Sequence, residues 1–321
     1  MQSLLFESPG LPAEVVQLAE IPVPTPGADE VLLKVVAAPI QPADAMFIGA
    51  RYRIPPVYPQ PAGLEGVGIV HGVGKNVPES LIGTRVAFRA PGAWSDFTLA
   101  SINRIYRVPA GISDVIASQF ALNPLTAIAL ANVAQPAPGD RALLTAGKSV
   151  VAQIAARILV KRGVAVDLLA RDGKGYRLSD FNNAKTVRDG ASVQDVLGAG
   201  SDRTYCAILD AVGGRDVPTL IDSCSPGARL VSYGLLDASD FTMSISKVIF
   251  KRLKWTGFGL DGWLNTLDKA SLRFAEAELW GILDEFPQLL ASANVFMRQD
   301  YLAAFDQANS HPAGGKVIFV G

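Results

Sequence analysis

The first hundred residues alternate short apolar runs with glycines and prolines, a pattern typical of strands joined by tight turns. The run Glu30 to Ala38 is the clearest strand, because valine and leucine dominate it. Glycines recur through Gly66 to Val77, which predicts a bend between two strands there. The beginning of the chain is therefore predicted to be an all-β module.

The period of the apolar positions changes near Ser113. Helices are predicted at Val115 to Phe120 and Leu125 to Val133, after which strands and helices alternate. The predicted strands, each with a helix after it, are Arg141 to Thr145, Val164 to Ala170, Tyr205 to Asp210 and Arg229 to Tyr233. This alternation predicts a doubly wound parallel sheet of Rossmann type. A long helix, Ser271 to Ser292, and a strand, Gly315 to Val320, are predicted to follow.

The turn after the first of these strands is a candidate anion site. It contains Gly147, Lys148 and Ser149, and Val150 and Val151 open the next helix. Unpaired backbone N–H groups and the helix dipole both attract phosphate at such a position. Gly147 is the only glycine in the turn, however, so the usual glycine-rich dinucleotide pattern is incomplete.

The same turn imitates the end of a P-loop. That motif also needs a glycine five residues before Gly147, where this chain has Ala142 inside the predicted strand. No length of chain remains to wrap a triphosphate, so the sequence argues against nucleotide hydrolysis.

The next predicted strand ends at Arg171 and Asp172. A carboxylate at this place favours the free ribose hydroxyl of NAD, whereas an arginine can pair with the 2′-phosphate of NADP. We expect Arg171 to select NADPH, with Lys174 as a second cation, while Asp172 leaves NAD open as the alternative.

Composition narrows the class of partner. With 29 Lys and Arg against 30 Asp and Glu, the formal net charge of −1 gives no overall field to attract nucleic acid or anionic lipid. No apolar run approaches the ~18 residues that span a bilayer, and the opening residues do not form a signal peptide. We therefore expect a cytoplasmic protein with a small-molecule substrate, whose two cysteines, Cys206 and Cys224, are buried free thiols.

Many short motifs in this order resemble the medium-chain dehydrogenase/reductase superfamily. They are Ile21-Pro22-Val23-Pro24, Pro26-Gly27, Glu30 to Val35, Pro42-Ala43-Asp44, Leu64 to Gly68, Pro138-Gly139-Asp140, Asp210 to Gly214, Tyr233-Gly234 and Gly315-Lys316. The resemblance implies a GroES-like β-rich domain of residues 1–113, completed by 261–321, and a Rossmann domain of residues 114–260. It also implies a cleft between these domains for the cofactor, and a homodimer formed through an edge strand such as Lys254 to Phe258.

The zinc-dependent members of that superfamily would carry a cysteine at Gln41 and a histidine at Leu64. The two cysteines and two histidines of the chain cannot supply both a catalytic and a structural zinc site. We therefore predict that the chain binds no metal, and that His71 and His311 have structural or exposed positions.

Among the zinc-free branches, the chain is most similar to 2-enoyl thioester reductases, with quinone oxidoreductases next. The stretches that carry this similarity are Asn123 to Ala127, Ser149 to Gln153, Phe250 to Phe258, and Ile48 to Tyr52 after Pro42-Ala43-Asp44. In such reductases a tyrosine stands at the spacing of Tyr52, which the resemblance implies is the proton donor. A non-enzymatic NADPH-binding protein remains a third reading, because the glycine turn is incomplete.

The resemblance implies further roles. Thr126 would contact the nicotinamide or its ribose, and Gln41 would help to place the substrate, although related reductases usually carry asparagine there. Lys316 would approach the cofactor phosphates. Val212, Tyr233, Gly234 and Phe258 complete the predicted NADPH-binding residues.

Overall fold

A computed structural model describes residues 1–198, 203–291, 293–310 and 315–321. Ser292, at the end of the predicted long helix, and His311 lie outside these ranges. The strands are β1 Gln2–Phe6, β2 Val16–Glu20, β3 Glu30–Pro39, β4 Gln60–Pro61, β5 Glu65–Val73, β6 Arg85–Arg89, β7 Phe97–Ser101, β8 Ile105–Arg107, β9 Arg141–Leu144, β10 Ala165–Asp172, β11 Gly175–Asp180, β12 Lys185–Gly190, β13 Tyr205–Asp210, β14 Cys224–Ser232, β15 Lys254–Gly257, β16 Ala293–Met297 and β17 Lys316–Val320.

The α-helices are α1 Pro12–Val15, α2 Pro42–Ile48, α3 Asp114–Ala117, α4 Asn123–Ala134, α5 Val150–Lys161, α6 Val193–Leu197, α7 Val217–Asp222, α8 Ser246–Lys251, α9 Leu260–Leu264, α10 Lys269–Glu285, α11 Gln288–Ala291 and α12 Tyr301–Ser310. None of these described helices combines the length and the apolar character that crossing a bilayer requires.

The chain divides into two compact units. The first unit comprises Met1–Asn123 and Trp280–Gly321, and the second unit comprises Pro124–Leu279. These divisions lie later in the chain than the domain limits expected at 113/114 and 260/261, which stay predictions.

The first unit is built on β-sheets. A sheet in the order β16-β17-β3-β5-β6-β8, with β7 also paired to β3, adjoins a smaller sheet in the order β2-β1-β4 within this unit. The largest side chains of its core include Phe6, Trp94, Phe305 and Phe319, each at most 2% exposed. Residues from the end of the chain thus complete the core of the N-terminal sheets, which explains why the final strand is apolar.

The glycines of β5 do not form the predicted bend. Glu65–Val73 is one strand, and the turn begins only at Gly74. A β-carbon at Gly66 would stand 2.8 Å from the carbonyl oxygen of Ala37, and one at Gly68 would stand 2.7 Å from that of Lys34. These glycines therefore allow β5 to approach β3 closely, and the bend prediction was wrong.

The second unit contains the predicted Rossmann-type sheet, in the order β12-β11-β10-β9-β13-β14-β15. The strands from β10 to β15 in this order pair in parallel, and the order reverses between β9 and β13. Strand β13 occupies Tyr205–Asp210, as predicted. The α/β fold class, with a GroES-like domain and a Rossmann sheet, is confirmed.

The helix predicted directly after β10 does not exist. The chain instead turns at Gly173, whose φ is +59°, and returns as the antiparallel strands β11 and β12 before the short helix α6. In the segment 175–180, Leu178 and Asp180 are buried and Ser179 between them is half-buried, which is the alternation of a strand and not a helical apolar stripe. We call β11 and β12 the hairpin.

Buried charge fixes the hairpin to β10. Asp167 on β10 is fully buried and accepts hydrogen bonds from Arg141 at 3.1 Å, from Arg203 at 2.5 Å and from the Tyr205 hydroxyl at 2.9 Å. Both arginines also face Asp180 at the end of β11, at 3.8 and 3.5 Å. A buried carboxylate with this many donors is satisfied, so the polar residues here support the sheet edge.

The predicted helix Ser271 to Ser292 is interrupted. Helix α10 ends at Glu285, and α11 begins at Gln288. Pro287 has no N–H to donate and disfavours a helical conformation at the residue before it, which accounts for the break.

Candidate functional site

The turn between β9 and α5 begins the candidate site in the second unit. A β-carbon at Gly147 would stand 2.7 Å from the Leu168 β-carbon on β10, so only glycine fits this crossing. Ser149 caps α5, because its hydroxyl accepts a hydrogen bond from the N–H of Ala152 at 3.2 Å. The Gln153 side chain donates to the carbonyl oxygen of Gly147 at 2.7 Å and braces the turn from inside.

Two backbone donors at this helix terminus remain available. Among the described residues, the N–H groups of Val150 and Val151 have no hydrogen-bond partner. Ala152 is fully buried, so its β-carbon belongs to the interior of the unit and does not cover these donors. The turn therefore keeps the chemistry of an anion site although it holds only one glycine.

Asp210, at the end of β13, shapes the neighbouring loop. The carboxylate is fully buried and accepts hydrogen bonds from the Thr145 hydroxyl at 2.8 Å, from the N–H of Val212 at 3.0 Å and from the N–H of Gly213 at 3.1 Å. The Thr145 hydroxyl in turn accepts from the N–H of Ala211 at 2.8 Å. Asp210 thus clamps the loops after β9 and β13 to each other at the point where the strand order reverses.

A cavity of about 330 Å³ opens at this carboxyl edge of the sheet. This volume lies at the lower end of the ~300–1,000 Å³ range of small-molecule sites, and the position is where open α/β sheets bind ligands. Arg171 and Val212 are the predicted cofactor residues that line it. The other residues that line the cavity are Thr145, Ala146, Leu169, Ala170, Tyr176, Val193, Asp216, Leu220, Leu236 and Asp237.

Tyr176, on the hairpin, connects two charged groups of this cavity. The Arg171 guanidinium carbon lies 5.8 Å from the centre of the Tyr176 ring, within the range of a cation–π contact. The Tyr176 hydroxyl donates to Asp216 Oδ2 at 3.4 Å. Burial raises the pKa of Asp216 above its ordinary value, and the Tyr176 hydrogen bond acts in the opposite direction.

Asp172, the carboxylate expected to serve NAD, is already paired. Arg177 contacts its Oδ2 at 2.6 Å, and Lys148 lies 3.4 Å from its Oδ1. Lys174 is exposed in the turn between β10 and β11. The negative charge next to Arg171 is therefore compensated, which favours a phosphate over a ribose diol at this strand end.

The remaining predicted residues of the second unit are Tyr233, Gly234, Phe258 and Thr126. Tyr233 and Gly234 follow β14, and the Tyr233 N–H donates to the carbonyl oxygen of Asp210 at 2.9 Å. A β-carbon at Gly234 would stand 2.3 Å from the Ala211 carbonyl oxygen, so glycine is required where these loops meet. Phe258 follows β15 and is half-buried, and Thr126 is half-buried in the first turn of α4. Their roles stay predictions.

In the first unit, Gln41 lies in a buried polar network. It is the N-cap residue of α2, and its backbone N–H donates to Asp44 Oδ2 at 2.6 Å. Its side-chain Nε2 donates to Glu65 Oε1 at 2.8 Å, and Asn123 donates to its Oε1 at 3.3 Å. The Gln41 amide is thus oriented from both sides, and one of its two N–H donors remains.

The two carboxyl groups beside Gln41 are almost completely buried. Burial raises the pKa of Asp44 to about 7 and that of Glu65 to about 8. Asp44 Oδ1 and Glu65 Oε2 have no hydrogen-bond partner among the described residues. Burial lowers the pKa of Lys316, and the charges of Glu65 and Asp44 oppose that effect, so Lys316 has acidic neighbours within its own unit. We call Asp44, Glu65 and Lys316 the buried acid cluster.

Gln41 and Lys316 also line a cavity of about 410 Å³ in the first unit, together with Arg51. Tyr52 does not line it. The Tyr52 ring is half-buried against the core of the first unit, and the Arg53 guanidinium carbon lies 5.5 Å from the ring centre. Among the described residues, no three His, Cys, Asp or Glu side chains gather as a set of metal ligands. Cys206 and Cys224 are both free, Cys224 buried and Cys206 only partly so.

Sequence reasoning missed several of these side chains. The sequence analysis included Asp210 and Glu65 only as members of motifs. No pattern in the sequence reveals that Glu65 is buried or that Asp210 clamps two loops. Tyr176 was missed because the hairpin was predicted as a helix, and Asp216, before α7, was missed because no motif marks it. The Tyr176 position could have been found from Gly173 and Gly175, which flank Lys174 as a turn signal.

Comparisons with known proteins agree with this architecture. Residues 27–109 match the alcohol dehydrogenase GroES-like domain. A mitochondrial enoyl-acyl-carrier-protein reductase of Rattus norvegicus is 30% identical over 82% of this chain and 73% of its own length. The corresponding protein of Xenopus tropicalis is 28% identical over 82% of this chain and 78% of its own length. The crystal structure of the Escherichia coli quinone oxidoreductase complexed with NADPH superposes with a TM-score of 0.78 at 21% identity, covering 100% of both chains.

The identity and coverage of these relatives, the matching GroES-like domain and the doubly wound sheet all support the resemblance seen in the sequence. The chain therefore belongs to the medium-chain dehydrogenase/reductase superfamily, in its enoyl reductase and quinone oxidoreductase branch, and it is an oxidoreductase.

Proposed function

We propose that this protein reduces the activated carbon–carbon double bond of a 2-enoyl thioester, carried on coenzyme A or acyl carrier protein, with NADPH as the reductant. The substrate class rests on one observation, the similarity to proteins named enoyl-acyl-carrier-protein reductases over 82% of the chain. The cofactor rests on the chemistry of the cavity in the second unit.

Three features of the second unit fit NADPH. The free N–H groups of Val150 and Val151 suit the diphosphate, since a helix N-terminus attracts anions. Arg171 stands at the end of β10, where a 2′-phosphate would lie. Asp172, which would otherwise repel that phosphate, is compensated by Arg177 and Lys148. Lys174 is the second cation in this proposal.

When bound, NADPH supplies the hydride that is added to the β-carbon of the substrate. Tyr52 donates the proton that the α-carbon needs, because the O–H of a phenol can act as a general acid. Its ring packs against the core of the first unit, and the Arg53 guanidinium lies over the ring.

Gln41 positions the substrate in this proposal. Glu65 and Asn123 fix its amide, so the remaining N–H can donate to the thioester carbonyl oxygen without reorganising. Thr126 contacts the nicotinamide end of the cofactor. Lys316, which has Glu65 and Asp44 as charged neighbours, is proposed to approach the cofactor phosphates.

Reduction of a quinone is the second candidate, favoured by the similarity in fold to a quinone oxidoreductase along the whole chain. A quinone accepts hydride and takes its proton from water, so Tyr52 would be dispensable. We also propose a homodimer through the exposed edge strand β15, whose test is the mass in solution, and a cytoplasmic location, which fractionation would test.

The deciding experiment measures turnover of NADPH and NADH with crotonyl-CoA and with 1,4-benzoquinone, for the wild type, Tyr52→Phe and Tyr58→Phe. Tyr58 is a partly exposed tyrosine of the same proline-rich segment and serves as the matched control. We expect Tyr52→Phe to lose about 10²-fold or more with crotonyl-CoA and to keep its quinone turnover. Turnover of the quinone alone would support the second candidate, and undiminished crotonyl-CoA turnover in Tyr52→Phe would remove Tyr52 from the mechanism.

A further inference from the structure

Asp216 has an unusual position in the cavity of the second unit. It is the residue that precedes α7, where an aspartate ordinarily caps the helix with its side chain, but no such cap bond is formed. Its carboxylate lines the cavity instead, and Oδ2 accepts the hydrogen bond of the Tyr176 hydroxyl at 3.4 Å. The Tyr176 hydroxyl on the hairpin therefore holds the Asp216 carboxylate. The carboxylate does not cap α7, although its position in the chain is the usual one for a capping aspartate.

Besides Asp216, the wall carries the side-chain oxygens of Thr145, Tyr176 and Asp237 and the guanidinium of Arg171, which has only donors. The Thr145 hydroxyl bonds to Asp210. Asp237 accepts from the N–H of Arg215 at 3.4 Å and from the N–H of Ser239 at 2.9 Å, one bond on each carboxylate oxygen. Among the described residues, Asp216 Oδ1 accepts no hydrogen bond, so it is a side-chain acceptor of the wall that a ligand can use.

The rest of the wall suits a flat apolar group. Leu169, Val193 and Val212 are among its aliphatic side chains, and Tyr176 adds an aromatic ring. A base that lies among these side chains buries its faces against carbon, and its polar edge must then meet a polar partner. Asp216 is placed to be that partner.

We propose that Asp216 recognises the adenine base of the dinucleotide, with Oδ1 accepting a hydrogen bond from the exocyclic amine. The inference rests on the proposed function, since NADPH brings the adenine. Tyr176 is a positioning residue, because it holds Asp216 and also lies beneath Arg171.

This arrangement gives the site a base specificity. Adenine offers a donor at the exocyclic position, whereas hypoxanthine offers a carbonyl oxygen there. An ionised carboxylate has only acceptor atoms, so it faces the hypoxanthine oxygen without a proton between them. A site built around a hydrogen bond rejects an analogue that lacks the donor.

The test compares dissociation constants for NADPH and for reduced nicotinamide hypoxanthine dinucleotide phosphate, which differ only at this base. The enhanced fluorescence of the reduced nicotinamide reports both titrations. We expect the wild type to prefer NADPH by about tenfold or more, as for a hydrogen bond to a charged acceptor. Asp216→Asn should prefer it by less than about threefold, because an amide offers both an acceptor and a donor. Tyr176→Phe should give an intermediate preference, because Asp216 then loses the hydroxyl that holds it.

Asp222→Asn is the control, since Asp222 is a half-exposed carboxylate of the same unit that does not line the cavity. It should keep the wild-type preference. Equal affinity of the wild type for the two dinucleotides, or an unchanged preference in Asp216→Asn, would overturn the role of Asp216 alone. If the wild type bound neither dinucleotide, the proposed cofactor would be wrong and this inference with it.

Discussion

Two buried carboxylate sites, one in each compact unit, differ in how completely they are hydrogen-bonded. Asp210 in the second unit accepts from Thr145, Val212 and Gly213, and both of its oxygens are used. Asp44 and Glu65 in the first unit each keep one oxygen without a partner among the described residues, and burial raises the pKa of both. A satisfied buried carboxylate stabilises loop geometry, whereas burial of an incompletely satisfied one favours its protonated form.

This difference has a functional counterpart. The Asp210 clamp keeps the loops around the cavity in place, which a dinucleotide site needs before the cofactor binds. The buried acid cluster lies beside Gln41 and orients its amide through Glu65. The Asp210 clamp therefore keeps the cavity loops rigid. The buried acid cluster positions the Gln41 side chain and holds a proton near neutral pH.

The largest effect is expected from Asp210→Ala. The change leaves the Thr145 hydroxyl and two backbone N–H groups without their acceptor in a buried place. Each such group costs about 1–3 kcal/mol, so we expect the free energy of unfolding to fall by about 3 kcal/mol or more. Urea unfolding measures this, with Asp222→Ala as the control.

Asp222 is a half-exposed carboxylate of the same unit that pairs with Lys247 at 2.7 Å. Its removal should cost less than about 1 kcal/mol, as for other surface ion pairs. Equal losses for the two variants would mean that Asp210 is not the clamp described here.

A smaller effect is expected from Glu65→Gln, and it depends on pH. Because the folded pKa of Glu65 is about 8 against an ordinary value of 4.5, the folded chain binds the proton more tightly than the unfolded chain. That contribution to stability is present at low pH and is lost as the pH rises from about 4.5 through about 8. Glu65→Gln should therefore lose less stability between pH 5 and pH 9 than the wild type, by about 1–3 kcal/mol.

Chemical unfolding at a series of pH values checks this prediction. Glu20→Gln, an exposed position in the same unit, is the matched control and should keep the wild-type slope. The pKa of Asp44, about 7, lies in the same pH range, and the charge of Lys316 acts to lower the pKa of both Asp44 and Glu65. We therefore expect the stability of Glu65→Gln to keep some dependence on pH. An unchanged slope would show that Glu65 is ionised in the folded chain across this range.

The smallest of the three effects concerns the cavity rim. Arg171→Gln should reduce the preference for NADPH over NADH by about tenfold, which corresponds to about 1.4 kcal/mol, because one cation at the 2′-phosphate is lost. Dissociation constants for both cofactors measure it, and Lys185→Gln at the far end of the hairpin should leave the preference unchanged. A preference that survives in Arg171→Gln would place the phosphate at another cation.

The sequence was sufficient for most of the elements around the cavity. Strand β13 and the turn at Gly147 were predicted because short apolar runs between turn residues and a helix N-terminus have local signals. The hairpin was missed because the surrounding βα alternation was extended through it, although Gly173 and Gly175 interrupt any helical pattern. With the hairpin, Tyr176 was missed as well.

The buried acid cluster could not be predicted for a different reason. Nothing local distinguishes Asp44 or Glu65 from an exposed carboxylate, since their burial results from packing between residues far apart in the chain. Gln41 and Glu65, for example, are 24 residues apart, and Gln41 and Asn123 are 82 apart. Similarly, the glycines of β5 reflect the close approach of β3, which only the paired strands reveal.

The central claim is that the carboxyl edge of the sheet in the second unit binds NADPH, and a crystal structure of the protein grown with NADPH tests it most directly. We predict the diphosphate at the N–H groups of Val150 and Val151, the 2′-phosphate at Arg171 and the adenine in the cavity beside Tyr176. Well-ordered density for this cavity without the cofactor, at saturating NADPH, would contradict the account.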